Sequence, residues 1–220
     1  MNAIPQLPLP ADNPLMARAA AEIRRQGWCR LPDALPPELA QSLLLRAVKL
    51  RSTSFRRAGV GRHGDELIND FVRRDKIHWL DGRSPEQAAW LQWAEQSRAQ
   101  LNRELFLGLF SFESHFAHYP VGGFYRKHLD AFKGEANRKL SVVLYLNPGW
   151  TTHDGGELVL YSPDIGAEEV ARVTPLFGTL VMFLSEEFPH EVLPAHRDRY
   201  SIAGWFRINA SHPERSDPPR

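Results

Sequence analysis

The constraint that narrows the fold most is a change of rhythm near Ser111: apolar residues recur at helical spacing before it, and short β-type runs separated by turn residues follow it. The runs are HFAHYP, GFYRKHLD, KLSVVLYLN, GELVLYS, EVARVTP, TLVMFL, HEVLP and RYSIAGWFRI. Helices that precede strands, instead of alternating with them, argue against a parallel βαβ sheet and for an antiparallel sandwich. The predicted class is α+β, mainly β: a double-stranded β-helix (jelly roll) with N-terminal helices packed on one sheet. No internal repeat is present.

Three prolines and little periodicity make residues 1–12 a flexible Pro-rich arm. Asn13 or Asp12 can cap a helix running to about Gln26, with Ala19, Ala20 and Ile23 on one face and Gly27 as its stop. Trp28 to Leu31 reads as a short strand. Pro36 and Pro37 open a second helix whose Leu39, Leu43, Leu44 and Val48 recur at helical spacing. Residues 51–75 are polar and charged with three glycines, the texture of a long loop or loose hairpin, and loops of that length often carry function. A third helix is expected from Pro85 to Leu107, with Ala88, Leu91, Trp93, Leu101 and Leu105 as its apolar stripe. A chain of 220 residues with 43% hydrophobic content can bury one sizeable core. Residues 13–220 are therefore read as a single domain, with helical support over 13–110 and a jelly-roll core over 111–208.

Lys and Arg number 27 against 26 Asp and Glu, a formal net charge of +1 that gives no global field for nucleic acid or an anionic membrane. Cys29 is the only cysteine, which excludes an intrachain disulfide and any Cys-based zinc or iron–sulfur site and fits a reducing compartment. The N-terminus lacks a basic segment followed by an apolar run, and no stretch is long enough for a transmembrane helix. The expectation is a cytoplasmic protein with no membrane and no nucleic-acid partner.

Iron that must bind and activate oxygen needs a few firm ligands and open positions, which two imidazoles and one carboxylate on one face of the metal supply. His128-Leu129-Asp130 offers two of the three, because positions i and i+2 of a strand point the same way. Alone, such a triplet also fits a surface strand or turn. His190 lies 60 residues later in another strand-like run, FPHEVLP, and Arg199 stands nine residues beyond it. By alternation Arg199, Ser201, Ala203 and Trp205 share one strand face, and Tyr200, Ile202 and Gly204 the other. An inward arginine is costly to bury without an anion, and its planar fork matches a carboxylate. It needs either a structural Asp or Glu or a dicarboxylate ligand. His115 and His118 differ by three and face opposite sides of a strand, so they make a poor metal pair; with His63, His153, His196 and His212 they are assigned to surface or packing roles, and His78 to a plain strand position.

The order H-x-D, a distal H, then R nine residues on resembles the Fe(II)- and 2-oxoglutarate-dependent dioxygenases of the prolyl 4-hydroxylase superfamily. HEVLPAHRDRYSIAGWF is similar to the terminal strands of the hypoxia-inducible-factor prolyl hydroxylase type, and RRDKIHWLDG, YPVGGFYRKHLD and LYLNPGW followed by GGEL extend the likeness over about residues 70–208. The resemblance implies His128, Asp130 and His190 as iron ligands and the catalytic centre. It implies Arg199 and Tyr145 as binders of the distal 2-oxoglutarate carboxylate, with Tyr119 as an active-site tyrosine. Trp205 falls near the substrate proline, and Arg73 and Asp75 where mobile-loop residues contact protein substrate. Taken singly, Trp205 and Tyr145 also read as aromatic core, and Arg73 and Asp75 as a solvated charge run. Ala203 departs from the likeness, standing where a hydroxyl-bearing threonine is expected.

The implied reaction uses Fe(II), 2-oxoglutarate and O2, with ascorbate as a candidate reductant. It hydroxylates a prolyl residue of a protein partner and yields succinate and CO2. A translation elongation factor is a candidate partner. Two other functions fit the same residues: a same-scaffold oxygenase acting on a small molecule, and a non-catalytic metal-binding jelly-roll module.

Overall fold

Asn13 caps the first helix in the computed structural model, which describes residues 13–51, 54–57, 71–131, 137–163 and 168–209. The expected N-terminal arm lies outside the described residues, as do His63 and His212. Asn13 Oδ1 accepts from the Leu15 amide at 2.9 Å, and Pro14 takes the position where an amide hydrogen is not needed. The helix, α1 (Pro14–Gln26), buries Met16, Ala19, Ala20 and Ile23. Gly27 ends it in the left-handed region at φ 80°, its amide donating to Ile23 O. A Cβ at Gly27 would stand 2.6 Å from the Phe188 ring, so both backbone and space require glycine.

After β1 (Trp28–Leu31) comes α2 (Pro37–Arg51), which buries Leu39, Leu43, Leu44, Ala47 and Leu50. Val48, expected on this face, is 46% exposed, because the buried stripe runs through Ala47 and leaves Val48 one position further round the helix. The third helix, α3 (Pro85–Leu105), stops two residues before its expected end. The Asn102 side chain takes both the amide and the carbonyl of Leu109 at 2.7 Å, and Phe106 turns left-handed at φ 54°, which together fold the chain back. Its inner face is rotated from the expected stripe. Trp90, Trp93, Ala94 and Leu101 are buried beside Gln87, Ser97 and Gln100, whereas Ala88 is exposed. Polar residues are tolerated there because Gln87 Oε1 accepts from the Asp81 and Gly82 amides, and Gln100 bonds both the amide and the carbonyl of Asn13.

The eight expected β runs become β4 (Leu109–Tyr119), β5 (Tyr125–His128), β6 (Arg138–Tyr145), β7 (Leu158–Tyr161), β8 (Glu169–Val173), β9 (Leu180–Leu184), β10 (His190–Val192) and β11 (Arg199–Ile208). Two more strands precede them, β2 (Arg56–Arg57) and β3 (Lys76–Trp79), which pair antiparallel; most of the expected loop or loose hairpin of residues 51–75 lies outside the described residues. One sheet has the order β1-β9-β6-β11-β4-β3-β2 and the other β5-β10-β7-β8, all pairs antiparallel. The double-stranded β-helix is thus formed, with its larger sheet recruiting β1, β2 and β3 from the half expected to be helical support.

The helices lie on the outer face of the larger sheet, where Tyr200, Ile202 and Phe206 join Met16, Leu43, Trp90 and Trp93 in one core. A second core lies between the sheets, where Ala117, Tyr145, Val181 and Phe183 meet Leu158, Leu160 and Val192. Among the described residues no helix is long and apolar enough to cross a membrane. Replacing Gly27 by Ala should lower unfolding free energy by roughly 1–3 kcal/mol, since a left-handed backbone and a ring contact are both violated; urea denaturation with an unchanged m-value checks this.

Candidate metal and co-substrate site

The two histidines of the expected triad sit directly opposite each other: His128 ends β5 and His190 begins β10, and the two are cross-strand partners. Their rings lie 4.3 Å apart between centroids. Asp130 is placed differently from the expectation. It is not on the strand with His128, because β5 ends there and the chain bends away from the smaller sheet. The bend carries the carboxylate across to the larger sheet, where Ser141 of β6 donates to Asp130 Oδ2 at 2.7 Å and is itself bonded to Ser185.

The tautomers follow from the partners. Nδ1 of His128 lies 2.7 Å from Arg126 O and Nδ1 of His190 lies 3.0 Å from Phe188 O; a carbonyl only accepts, so both Nδ1 atoms carry hydrogen. Each Nε2 therefore presents a lone pair, 3.7 Å from Asp130 for His128 and 3.6 Å for His190. Burial, reinforced by His128, pushes the His190 imidazole down to about 4, so it is neutral at pH 7. Burial opposes the charge on Asp130; a proton on His190 or His128 would hold its carboxyl below the usual carboxylate range, and the Ser141 hydroxyl also favours the carboxylate. Three acceptors thus converge within 4.8 Å with no donor between them, an arrangement that is repulsive until a cation occupies it. Two nitrogens and one carboxylate oxygen form the donor set that suits a ferrous ion with open positions.

Arg199 lies on the inner face of the larger sheet and is 1% exposed. Its Nε donates to Gly156 O at 2.9 Å and Nη1 to Ser201 Oγ at 3.3 Å, while Nη2 is buried without a partner among the described residues. No carboxylate pairs with it among the described residues, so the structural ion pair that could have explained it is not there. The guanidinium sits over the rings of Tyr119, its cross-strand partner, at 4.8 Å and of Tyr145 at 5.2 Å. The Tyr145 hydroxyl is also buried without a hydrogen-bond partner. Burial pushes both phenols up, so each stays protonated and able to donate. An unpaired cationic fork beside unpaired hydroxyl capacity fits a carboxylate ligand. Gly156 shapes this wall: at φ 69°, a Cβ there would approach Arg199 Cδ to 2.9 Å.

Trp205 lies further along the inner face of β11, 8% exposed, with the Arg138 guanidinium 3.6 Å over its ring. Arg73 and Asp75 are not a solvated charge run. They form a bidentate pair at 2.7 and 2.6 Å, with side chains 12% and 0% exposed. Arg73 also lies 4.2 Å over Tyr125, which stacks on His128 at 3.5 Å, so the pair supports the triad from behind.

Sequence reasoning missed Ser141, whose alternation with Val143 and Tyr145 gives its face but not its partner. His115, expected in a surface or packing role, takes the packing one. His118 does face the opposite side, stacked on Tyr200 and bonded to Asp198 at 2.8 Å, but His115 is buried in the inner wall.

The sequence profile of the 2OG-Fe(II) oxygenase superfamily matches residues 114–207. A prolyl-4-hydroxylase of Pseudomonas putida is 40% identical, with a TM-score of 0.79 over 88% of this chain and 98% of that one. A prolyl hydroxylase solved in complex with a hypoxia inducible factor oxygen degradation domain peptide fragment, from Trichoplax adhaerens, is 26% identical with a TM-score of 0.75, covering 88% of this chain and 89% of that one. Egl nine homolog 1 of Homo sapiens is 27% identical over 208 residues, 90% of this chain and 48% of its own length, so the chain spans about half of that relative. Ser141→Ala removes the donor that orients Asp130 and should weaken Fe(II) or Mn(II) binding by on the order of 10- to 100-fold, read by anaerobic metal titration.

Proposed function

The chain belongs to the 2OG-Fe(II) oxygenase superfamily, and from that premise we propose that it hydroxylates a prolyl residue of a polypeptide, converting 2-oxoglutarate and O2 to succinate and CO2. The observation that carries this reading is a donor-free cluster of two imidazoles and a carboxylate between the same two sheets as an arginine buried with one nitrogen unpaired among the described residues. Likeness to prolyl hydroxylases, one of them solved with a peptide, supports the substrate class.

In this reading His128, Asp130 and His190 hold Fe(II), and Arg199 with Tyr145 holds the distal carboxylate of 2-oxoglutarate. Bound iron supplies the redox chemistry that couples oxidation of the co-substrate to oxidation of a C–H bond. The chain's own residues do the positioning. Gly156 O and Ser201 fix two edges of the Arg199 fork and leave Nη2 to the ligand. Tyr119 covers the guanidinium and keeps water from it. Ser141 holds the carboxylate in place, and the Arg73–Asp75 pair steadies Tyr125 against His128. Trp205 borders the space for the proline ring. A carboxylate at position 130 favours hydroxylation over halogenation, which requires a small residue there to admit halide. Ascorbate enters as the reductant that keeps iron ferrous, and a translation elongation factor is the first polypeptide to offer the enzyme.

The test is incubation with Fe(II), 2-oxoglutarate, air and short single-proline peptides, with mass spectrometry for one added oxygen on proline and an assay for succinate. Oxidation confined to free metabolites would overturn the polypeptide assignment, and no succinate at all would overturn the oxygenase reading. Asp130→Ala and His190→Ala are each expected to abolish turnover. Arg199→Ala should raise the 2-oxoglutarate requirement by about 100-fold or more, while metal titration shows the iron site largely intact, since one partner of a buried charged contact is removed.

A further inference from the structure

On the inner wall, alternate residues of β4 are Glu113, His115, Ala117 and Tyr119, lying across from Trp205, Ala203, Ser201 and Arg199 of β11. The proposed function uses the two ends of this array and leaves His115 without a task. His115 belongs to a cross-strand row that runs Trp79, His115, Ala203, Val143 over four strands. Ala203, the departure noted in the sequence, offers the imidazole no side-chain hydrogen-bonding group. The ring is held instead between two indoles, Trp79 at 5.1 Å and Trp205 at 5.5 Å. Trp79 is 49% exposed while His115 is 5% exposed, so this trio marks the boundary between solvent and the interior.

Two polar atoms at that boundary lack partners among the described residues: His115 Nδ1 and Trp205 Nε1, both buried. A buried polar atom left unpaired is destabilising, and a leucine or phenylalanine would serve packing at position 115 without that cost. Burial pushes the imidazole down to about 3, so it is neutral and offers one donor and one acceptor nitrogen. Charges of both signs act on it, Asp75 and Asp130 against Arg73 and Arg138, so no single sign of ligand is selected. Arg199 is four residues away along β11, about 13 Å at the rise of a strand, beyond the span of a five-carbon acid anchored at its distal carboxylate. A neutral amide from the solvent side matches these conditions.

We propose that His115 is a substrate-binding residue whose Nδ1, together with Trp205 Nε1, hydrogen-bonds the main chain of the polypeptide at its target proline. The indole can only donate, so it takes a carbonyl, and the neutral imidazole takes a neighbouring carbonyl or amide; the proline nitrogen itself carries no hydrogen to offer. The assignment rests on the polypeptide substrate proposed above.

The test compares steady-state kinetics of three variants on acetylated, amidated single-proline peptides. His115→Phe keeps a ring between Trp79 and Trp205 and deletes the nitrogens; His115→Asn places an amide at the position of Nδ1; His115→Gln places it at that of Nε2. The peptide KM should rise on the order of 10-fold in His115→Phe and His115→Gln, with the 2-oxoglutarate KM moving less than about twofold, and His115→Asn should recover most of the loss. A melting temperature measured for each variant separates this from misfolding, and Gln carries the test if Phe does not fold. A peptide KM unchanged in both Phe and Gln variants, or raised as much by Asn, overturns the inference alone. Failure of the wild-type protein to oxidise any of the peptides overturns the reading of the substrate, and this inference with it.

Discussion

The register of β11 between β4 and β6 is the constraint on which the rest depends. It is the central strand of the larger sheet, and its alternation divides the protein. Tyr200, Ile202 and Phe206 enter the core shared with the helices, while Arg199, Ser201, Ala203 and Trp205 face the smaller sheet. A slip of one residue would exchange the two sets, placing a guanidinium among Leu43, Trp90 and Trp93 and large apolar side chains in the site. The helical layer therefore does more than cover a sheet. By accepting only the apolar set, it fixes which face the arginine occupies.

The site itself is held in an electrostatically unfinished state. Two Nε2 lone pairs face a carboxylate with no donor between them, and a buried guanidinium keeps one nitrogen unpaired. Each would be disfavoured in a protein with no ligand, because buried charge and buried polar atoms need partners. The surrounding structure sustains them through fixed contacts: main-chain carbonyls on both imidazole Nδ1 atoms, Ser141 on Asp130, Gly156 on Arg199. The same logic applies on a smaller scale to His115 and Trp205. The ligands proposed above, a cation, a carboxylate and a neutral amide, each answer one of these unsatisfied groups.

Asp130 shows how the two sheets cooperate. The histidines come from neighbouring strands of the smaller sheet, whereas the carboxylate is tied to β6 of the larger one. The three residues of the cluster thus tie the two sheets together. The Arg73–Asp75 pair plays a comparable part, since the segment before β3 runs beside β5 through the Arg73–Tyr125 bridge.

Much of this was legible in the chain. Cap and stop residues such as Asn13 and Gly27 act on adjacent backbone, so the ends of α1 could be read directly, and strand alternation sorted Arg199 from Tyr200 because side chains on a strand must alternate. Spacing and resemblance placed His128, Asp130, His190 and Arg199 at one site. What alternation could not tell was which polar residues are buried: Gln87 and Gln100 turn inward because backbone groups distant in sequence await them, and Ser141 because a carboxylate is carried to it by a bend. The sequence by itself determined the order of elements, the face each strand residue takes and the chemical types at the site, since these depend on neighbours along the chain. Only the tertiary structure decided that, among the described residues, Arg199 has no acid beside it and His115 Nδ1 no partner between two tryptophans, and that Arg73 and Asp75 satisfy each other, because the presence or absence of a partner is settled by strands brought together from distant parts of the chain.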